Sequence, residues 1–348
     1  MAAEDFLNNT SLIILGIFIL TLLGVYSIYK PFLLSLSVAI LLAMATYNIV
    51  NQLSQKLNSR LAGTIISTMM LILILFVPMI YIATSGVEYI SQLDNTAITQ
   101  TVDMAQKLLQ KIPLINEYAI DKINDDQIAK FVEQSSAYLA TAGKAGIGFA
   151  KNMFLVLLFY FFINYYGVAM FNFIKPLIPI SEERFQKMSH EVSSTMEVVL
   201  YSTIVTAIFE GFLFGIIVSY FGFNGLLFGI IYGLASLIPV VGGAIVWIPV
   251  SLYAWSTLDS VSAIIIALYS IIIISIIADT FIKPIIIKFI KEEMLHSTVE
   301  INALVIFFSI VAGMSTYGFW GIIIGPAITS FLIAIIKIGV DYKAMSDT

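Results

Sequence analysis

The sequence predicts an all-α polytopic membrane protein with about eight hydrophobic segments. Hydrophobic residues make up 59% of the 348-residue chain, charged residues 11%, and the mean hydropathy is +0.98. A soluble domain carries about 25% charged residues, so this composition is typical of a chain that lies mostly in lipid. The apolar runs are continuous and lack the two-residue alternation of an outer-membrane barrel. Two runs, 211–258 and 301–336, carry no charge and exceed one span of about 20 residues.

Charge-free windows predict the order of segments along the chain. The first apolar run, at about 11–29, is interpreted as a retained span, because its start lacks the basic residues of a signal peptide. The predicted parts are N-terminal spans 1–3 (1–85), an extracytoplasmic helical insert (86–146), span 4 (147–174), a cytoplasmic amphipathic helix (175–196), span 5 with a first hairpin (197–257), span 7 with a second hairpin (258–340) and a cytoplasmic tail (341–348).

Two polar segments separate the spans. The insert 86–146 contains eight acidic residues and five lysines, and a capping box at 124–127 predicts a helix start. It is too short for a large independent core, so a spacer or an oligomer contact is favoured over a ligand-binding domain. Residues 182–199 predict an amphipathic helix at the membrane surface, capped by Ser181, with His190 on its solvated face.

Loop charges predict that both termini lie in the cytoplasm. This orientation places five basic residues of the loops inside and only Lys30 outside. If 225–257 crossed the membrane once, the three lysines at 283, 288 and 291 would be exported. A segment that enters and returns keeps them inside, so the positive-inside rule favours a hairpin.

Length also favours a hairpin at 225–257. Its first arm, 225–238, measures about 21 Å at 1.5 Å per residue, short of a hydrocarbon core of about 30 Å. A re-entrant hairpin with its tip at 238–243 is the favoured interpretation, and two short tilted spans are the alternative. A second hairpin at 301–338, entered from the opposite side, would complete an inverted repeat, which is typical of alternating-access carriers.

Glycines at four-residue spacing predict close helix packing in this half of the chain. Small residues at this spacing let helix backbones approach each other. Packing explains the series without a role in transport. The predicted packing glycines are Gly211, Gly215, Gly225, Gly229 and Gly233.

Glu210 and Asp279 are the informative charges, because each lies inside an apolar run. A carboxylate in a membrane span is costly unless it is paired, hydrated or protonated, so a functional role is the starting hypothesis. Glu210 has no basic residue near it in sequence and can bind a cation, exchange a proton, or form a neutral hydrogen bond in a packed interface. Asp279 lies four residues before Lys283, which favours a structural ion pair.

Several function classes are excluded for want of residues. The chain has no cysteine, and its two histidines, His190 and His296, are too few and too far apart for a metal cluster. A Walker A loop, a Gly-x-Ser-x-Gly elbow and the second aspartate of an intramembrane aspartyl protease are missing. The 17 basic residues are scattered, so no nucleic-acid footprint exists. We therefore expect neither an enzyme nor a cofactor nor a metal site.

The chain resembles the autoinducer-2 exporter family, also called the PerM-type permeases. The resemblance covers the whole architecture. It is sharpest in span 5 and its turn (211–215 and 221–223), the hairpin tip (233–244) and the C-terminal pattern (279–285 and 313–326). The chain departs from the family pattern at Glu210, where Gln is usual, at Asp279, where Glu is common, and at Val240 and Gly243 in the tip. The His-Pro that precedes the last hairpin in the family has no clean counterpart, which makes His296 a weak site candidate.

The resemblance implies an inner-membrane carrier that exports small solutes. Members are linked to release of the quorum signal autoinducer-2, others to sodium or lithium exchange for protons, and the family suggests a homo-oligomer, such as a pentamer. We predict a secondary carrier of a small molecule or ion in the lipid bilayer of the bacterial inner membrane. The competing hypotheses are a non-transporting scaffold or regulator and a passive channel. The predicted transport-site residues are Glu210, Pro239, Gly242, Gly243, Asp279, Gly321, Gly325 and Pro326.

Overall fold

The computed structural model describes residues 2–91, 100–101, 125–177, 181–238, 241–294 and 302–346. Within these ranges the chain is helical and contains no β-strand. The helices are α1 (Ala2–Tyr29), α2 (Leu33–Lys56), α3 (Arg60–Ser91), α4 (Asp125–Ile174), α5 (Glu182–Tyr220), α6 (Gly225–Ala235), α7 (Gly242–Thr257), α8 (Ser260–Tyr269), α9 (Lys283–Phe289), α10 (Ala303–Tyr317) and α11 (Gly321–Ser346).

Short turns of other helix types link several of these elements. A π-helical segment, Ser270–Ile282, joins α8 to α9, and a second, Ile290–Met294, follows α9. Three 3-10 turns lie at Lys30–Phe32, Lys175–Leu177 and Gly318–Trp320. Residues 260–292 therefore form one long helix with π-helical parts.

Six helices among the described residues are long and apolar enough to cross a membrane, which confirms the predicted class of a multi-pass helical membrane protein. They cover 33–56, 60–86, 148–173, 182–220, 260–292 and 304–336. The last of these folds back at Gly318, whose φ of +59° is a left-handed conformation that suits glycine. On either side of this turn, Gly313 lies against Gly321, and Ser309 against Gly325, so α10 and α11 are antiparallel.

Polar caps define where the helices of the uncharged stretches begin. The Asn224 side chain accepts a hydrogen bond from the Leu227 amide at 3.0 Å and starts α6, directly after a turn in which Gly222 has φ +84°. Asp259 and Asn302 cap α8 and α10 in the same way. Ser181 occupies the N-cap position of α5, as predicted, but its side chain makes no capping hydrogen bond.

The core is built around α2 and α5. One cluster packs α2, α3 and α4 against the start of α11, where Trp320 and Ile324 are buried. A second cluster packs α5 to α8 and the π-helical segment together. A third joins the two through Ala45 of α2, Val192 and Met196 of α5, and Ala327 of α11.

The predicted surface helix at 182–199 forms the first half of α5. Its apolar side chains Val192 and Met196 pack against α2 and α11 rather than facing lipid, while Glu183, Lys187 and His190 are exposed. The other predicted polar segment is described only in part, since 92–99 and 102–124 lie outside the described residues. Helix α4 runs without interruption across the predicted boundary between the insert and span 4.

Candidate functional site

The candidate site lies where α5 and α6 pack backbone to backbone. A Cβ placed on Gly211 would overlap the Gly229 carbonyl oxygen, and one on Gly215 would lie 2.7 Å from the Gly225 carbonyl oxygen. Gly233 continues this antiparallel contact against the Ala207 carbonyl. The end of α6, and with it the following residues 236–238, is thereby held beside the turn of α5 that carries Glu210.

Glu210 is buried and paired with a lysine from a distant part of the chain. Its side chain is 3% exposed, and its Oε1 lies 3.3 Å from Lys283 Nζ. Lys283 Nζ also lies 3.0 Å from Asp279 Oδ1, across one helical turn. Lys283 and Asp279 are 37% and 44% exposed, so the cluster runs from a buried carboxylate to a half-exposed one. One ammonium between two carboxylates leaves the cluster with a net charge of −1 when all three are ionised.

Hydroxyl groups surround the charged cluster. Ser236, the first residue after α6, lies beside Glu210 and donates a hydrogen bond to the Gly233 carbonyl at 2.9 Å. Tyr232 is 2% exposed and stacks on Phe214 with ring centroids 4.5 Å apart. Its hydroxyl bonds to Ser275 and lies close to both carboxylates of the cluster.

Tyr232 also connects the cluster to the beginning of α7. A Cβ on Gly243 would lie 2.5 Å from the Tyr232 hydroxyl oxygen, and one on Gly242 would overlap the Ala235 carbonyl. Only glycine allows α7 to begin this close to α6. The start of α7 is therefore in direct contact with the polar groups around Glu210.

Asp279 lies within the π-helical segment Ser270–Ile282. Such segments are rare and frequently occur at functional sites. Within the same core cluster region, Ser270 of this segment and Ser251 of α7 are buried, and neither side-chain oxygen has a hydrogen-bond partner among the described residues. A buried hydroxyl of this kind is a place for a water molecule or a polar group of a ligand.

The structure brings four of the eight predicted transport-site residues together: Glu210, Gly242, Gly243 and Asp279. Pro239 lies outside the described residues, as does His296. Gly321, Gly325 and Pro326 belong to the α10–α11 pair, which packs with its Trp320 end against α2 and α4. Gly242 and Gly243 therefore contact α6, whereas Gly321 and Gly325 contact α10.

Sequence reasoning did not connect Lys283, Tyr232, Ser236 or Ser275 with Glu210. The spacing of Asp279 and Lys283 did predict their ion pair, but 73 residues separate Lys283 from Glu210. A lone lysine within an apolar region was the one available signal for a partner. Among the described residues no group of three acidic or histidine side chains can hold a metal ion.

Comparison with known proteins finds similarity to transport proteins in each case. The model of the AI-2E family transporters matches residues 15–341. A protein named "Putative transport protein" from Helicobacter pylori strain 26695 is 32% identical over 334 residues, covering 93% of this chain and 95% of its own. The equivalent from strain J99 is 33% identical over 344 residues, with the same coverage. A protein of the same name from Aquifex aeolicus is 27% identical over 220 residues, 61% of this chain and 57% of its own.

Proposed function

The chain belongs to the AI-2E transporter family, and we propose that it is a secondary carrier that exports a small solute such as autoinducer-2 across the bacterial inner membrane. The observation that carries this proposal is the Glu210–Lys283–Asp279 cluster, whose Glu210 carboxylate is buried beside the contact between α6 and the start of α7. Charges inside a membrane span are costly and are typical of solute and ion pathways. The chain has no Walker A loop, so the driving force is a gradient rather than ATP.

The cluster can recognise a small polar solute through both of its charge signs. Carboxylates accept hydrogen bonds from solute hydroxyls, and the Lys283 ammonium donates to solute oxygens. Tyr232 of α6 adds a hydroxyl beside the two carboxylates. Ser251 of α7 and Ser270 of the π-helical segment add buried hydroxyls that have no hydrogen-bond partner among the described residues. The hydroxyl groups of a solute can replace the hydrogen bonds that Lys283 makes to the two carboxylates. No buried polar group is then left without a partner, which lowers the desolvation cost of binding.

Alternating access is proposed to move the helices around this fixed cluster. We propose that 225–257 and 301–338 are re-entrant hairpins of an inverted repeat, with both termini in the cytoplasm and the chains assembled as a homo-oligomer. The short helices α6 and α7, of 11 and 16 residues, support the first hairpin, because they measure about 16 and 24 Å at 1.5 Å per residue. The fold-back at Gly318 supports the second.

Counterflow in proteoliposomes tests the carrier proposal. Vesicles loaded with unlabelled autoinducer-2 should accumulate labelled autoinducer-2 transiently and with saturation, and Glu210→Gln should lower the rate at least tenfold. The matched control is Glu183→Gln, an exposed carboxyl near the start of the same helix, which should leave the rate unchanged. Non-saturable flux would indicate a passive channel instead.

A proton-coupled sodium or lithium antiporter is the second candidate, favoured by the position of Lys283 between two carboxylates. A sodium or lithium ion, or a proton, can replace the Lys283 ammonium at the Glu210 carboxylate. An antiporter of this kind needs the cation and the proton to compete for one carboxylate. A pH gradient should then drive sodium or lithium flux into the same vesicles. Absence of that flux, with Glu210→Gln behaving like the wild type, rules the antiporter out.

A non-transporting scaffold or regulator is the competing class. Deletion of residues 86–146 separates it from a carrier, because a carrier should keep part of its flux whereas a scaffold should lose its partner. Flux retained by the deletion variant, and lost on Glu210→Gln, supports transport through the cluster.

A further inference from the structure

We propose that Glu197 is an exchangeable proton-binding site, separate from the Glu210 cluster and independent of which solute is carried. Glu197 lies 13 residues before Glu210 on α5, about 20 Å away along the helix at 1.5 Å per residue. It is the other buried carboxyl among the described residues. Neither the family assignment nor the relatives assign it a role.

Glu197 is enclosed with a neutral partner. The residue is 5% exposed, and its Oε1 accepts one hydrogen bond, at 2.7 Å, from the Asn48 side-chain amide of α2. In the part of the chain that the structure describes, no lysine, arginine or histidine lies within ion-pairing distance of it. This differs from Glu210, where Lys283 supplies a counter-charge.

An enclosed carboxyl with only a neutral donor is stable when it carries a proton or holds a cation. A metal cation requires several oxygen ligands, but Asn48 presents its NH₂ group, and the described residues contain no group of three acidic or histidine side chains that could hold a metal ion. A proton needs no further ligand, since Oε1 accepts from Asn48 and Oε2 carries the hydrogen. The ligand set therefore fits a proton.

Besides the Asn48 amide, the described groups that face Glu197 from the packed helices are hydroxyl-bearing or apolar. Tyr201 lies one turn along α5, close to both Glu197 and Tyr160 of α4. The Tyr160 hydroxyl is bonded to Thr46 of α2 at 2.8 Å and to Ser67 of α3. From α11 the neighbouring cluster contributes Ala327 and Ile323, which are apolar. On earlier turns of α5, His190 is exposed and Glu191 partly exposed, toward the end where the helix begins.

Proton release from Glu197 would leave a negative charge in the interface between α2 and α5. The carboxyl O–H bond breaks, its electron pair stays on the carboxylate, and the proton passes to a water molecule. The remaining carboxylate requires hydration, which favours separation of α2 from α5. The neighbouring bond from Ser193 Oγ to the Met44 carbonyl, at 2.9 Å, would open with it. Proton occupancy at Glu197 thus stabilises the closed contact.

Infrared difference spectroscopy of the full-length protein in liposomes tests this site. The wild type should show a protonated-carboxyl C=O band that is lost reversibly as the pH is raised. Glu197→Gln should abolish the band, since the amide keeps the Asn48 hydrogen bond without a titratable proton. Asn48→Ala should leave the band but move it to higher frequency, because the carbonyl loses its donor. The exposed control Glu183→Gln should change nothing.

Three outcomes overturn the proposal. A band that survives Glu197→Gln belongs to another residue, and a Glu197 band that never responds to pH shows a fixed rather than exchangeable proton. A band that disappears on addition of sodium or lithium at constant pH shows a cation site. None of these measurements requires transport, so failure here is distinguishable from failure of the carrier proposal.

Discussion

Lys283 Nζ lies 3.3 Å from Glu210 Oε1, although 73 residues separate the two in the chain. This pair joins the middle of α5 to the helix that contains Asp279. Lys283 thus lies between a buried carboxylate, that of Glu210, and a half-exposed one, that of Asp279. The two carboxylates are therefore unequal. Glu210 depends on Lys283 for its counter-charge, whereas Asp279 has access to solvent as well.

Lys283→Met should destabilise the protein, because it leaves Glu210 buried without a cation. We expect about 2 kcal/mol, less than the roughly 3–5 kcal/mol of a fully buried pair, since Lys283 is 37% exposed. Glu210→Gln in the same chain should recover most of this loss, since it removes the uncompensated charge. Asp279→Asn should recover little, because the Asp279–Lys283 pair is partly exposed and contributes less than about 1 kcal/mol. Unfolding by SDS titration in bicelles measures all four free energies. Equal recovery by both second substitutions would show that the two carboxylates are equivalent.

The start of α7 should also be sensitive to substitution. A Cβ at Gly243 would lie 2.5 Å from the Tyr232 hydroxyl oxygen, and Tyr232 is itself held by its stack on Phe214. Gly243→Ala should therefore displace Tyr232 and lower transport several-fold. Tyr232→Phe removes the contacted oxygen, so Gly243→Ala should lower transport less in the Tyr232→Phe background than in the wild type. Initial rates in proteoliposomes decide this, and an additive loss in the double variant would contradict the proposed contact.

The sequence predicted the class of a multi-pass helical membrane protein because that class depends on local properties. Charge-free length, glycine spacing and the four-residue interval between Asp279 and Lys283 are all visible within one helix. Glu210 and Glu197 contact helices that are far from them in the chain. No local sequence pattern therefore indicates that Lys283 is the partner of Glu210 or that Asn48 is the partner of Glu197. The partner of the apolar face of 182–199 was equally unpredictable from the sequence. A face that packs on lipid and a face that packs on α2 need the same apolar residues.

Gly211→Ala should destabilise the α5–α6 contact by about 1–3 kcal/mol. The added methyl group would overlap the Gly229 carbonyl oxygen and lie 3.3 Å from the Gly233 Cα, and backbone atoms cannot move aside as a side chain can. Gly167→Ala of α4 is the matched control, because nothing lies within 4 Å of its Cβ position. Alanine is the better helix former by up to about 1 kcal/mol, so the control should be neutral or stabilising. Thermal unfolding of both variants in detergent measures the difference, and equal melting temperatures would disprove close packing at Gly211.

Asp259 should make the start of α8 sensitive to acid. The Ser262 amide and hydroxyl and the Val261 amide donate to its carboxylate, which lowers the pKa of Asp259 below the ordinary value of 3.8. A carboxyl whose pKa is lower in the folded state stabilises that state above its unfolded pKa, and this contribution is lost as the pH falls below about 4. Asp259→Asn keeps a capping oxygen at every pH, so the melting temperature of the wild type should fall relative to this variant only on acidification. Asp259→Ala should lie below both at neutral pH. Parallel pH profiles for wild type and Asp259→Asn would show that the Asp259 charge does not contribute to the cap.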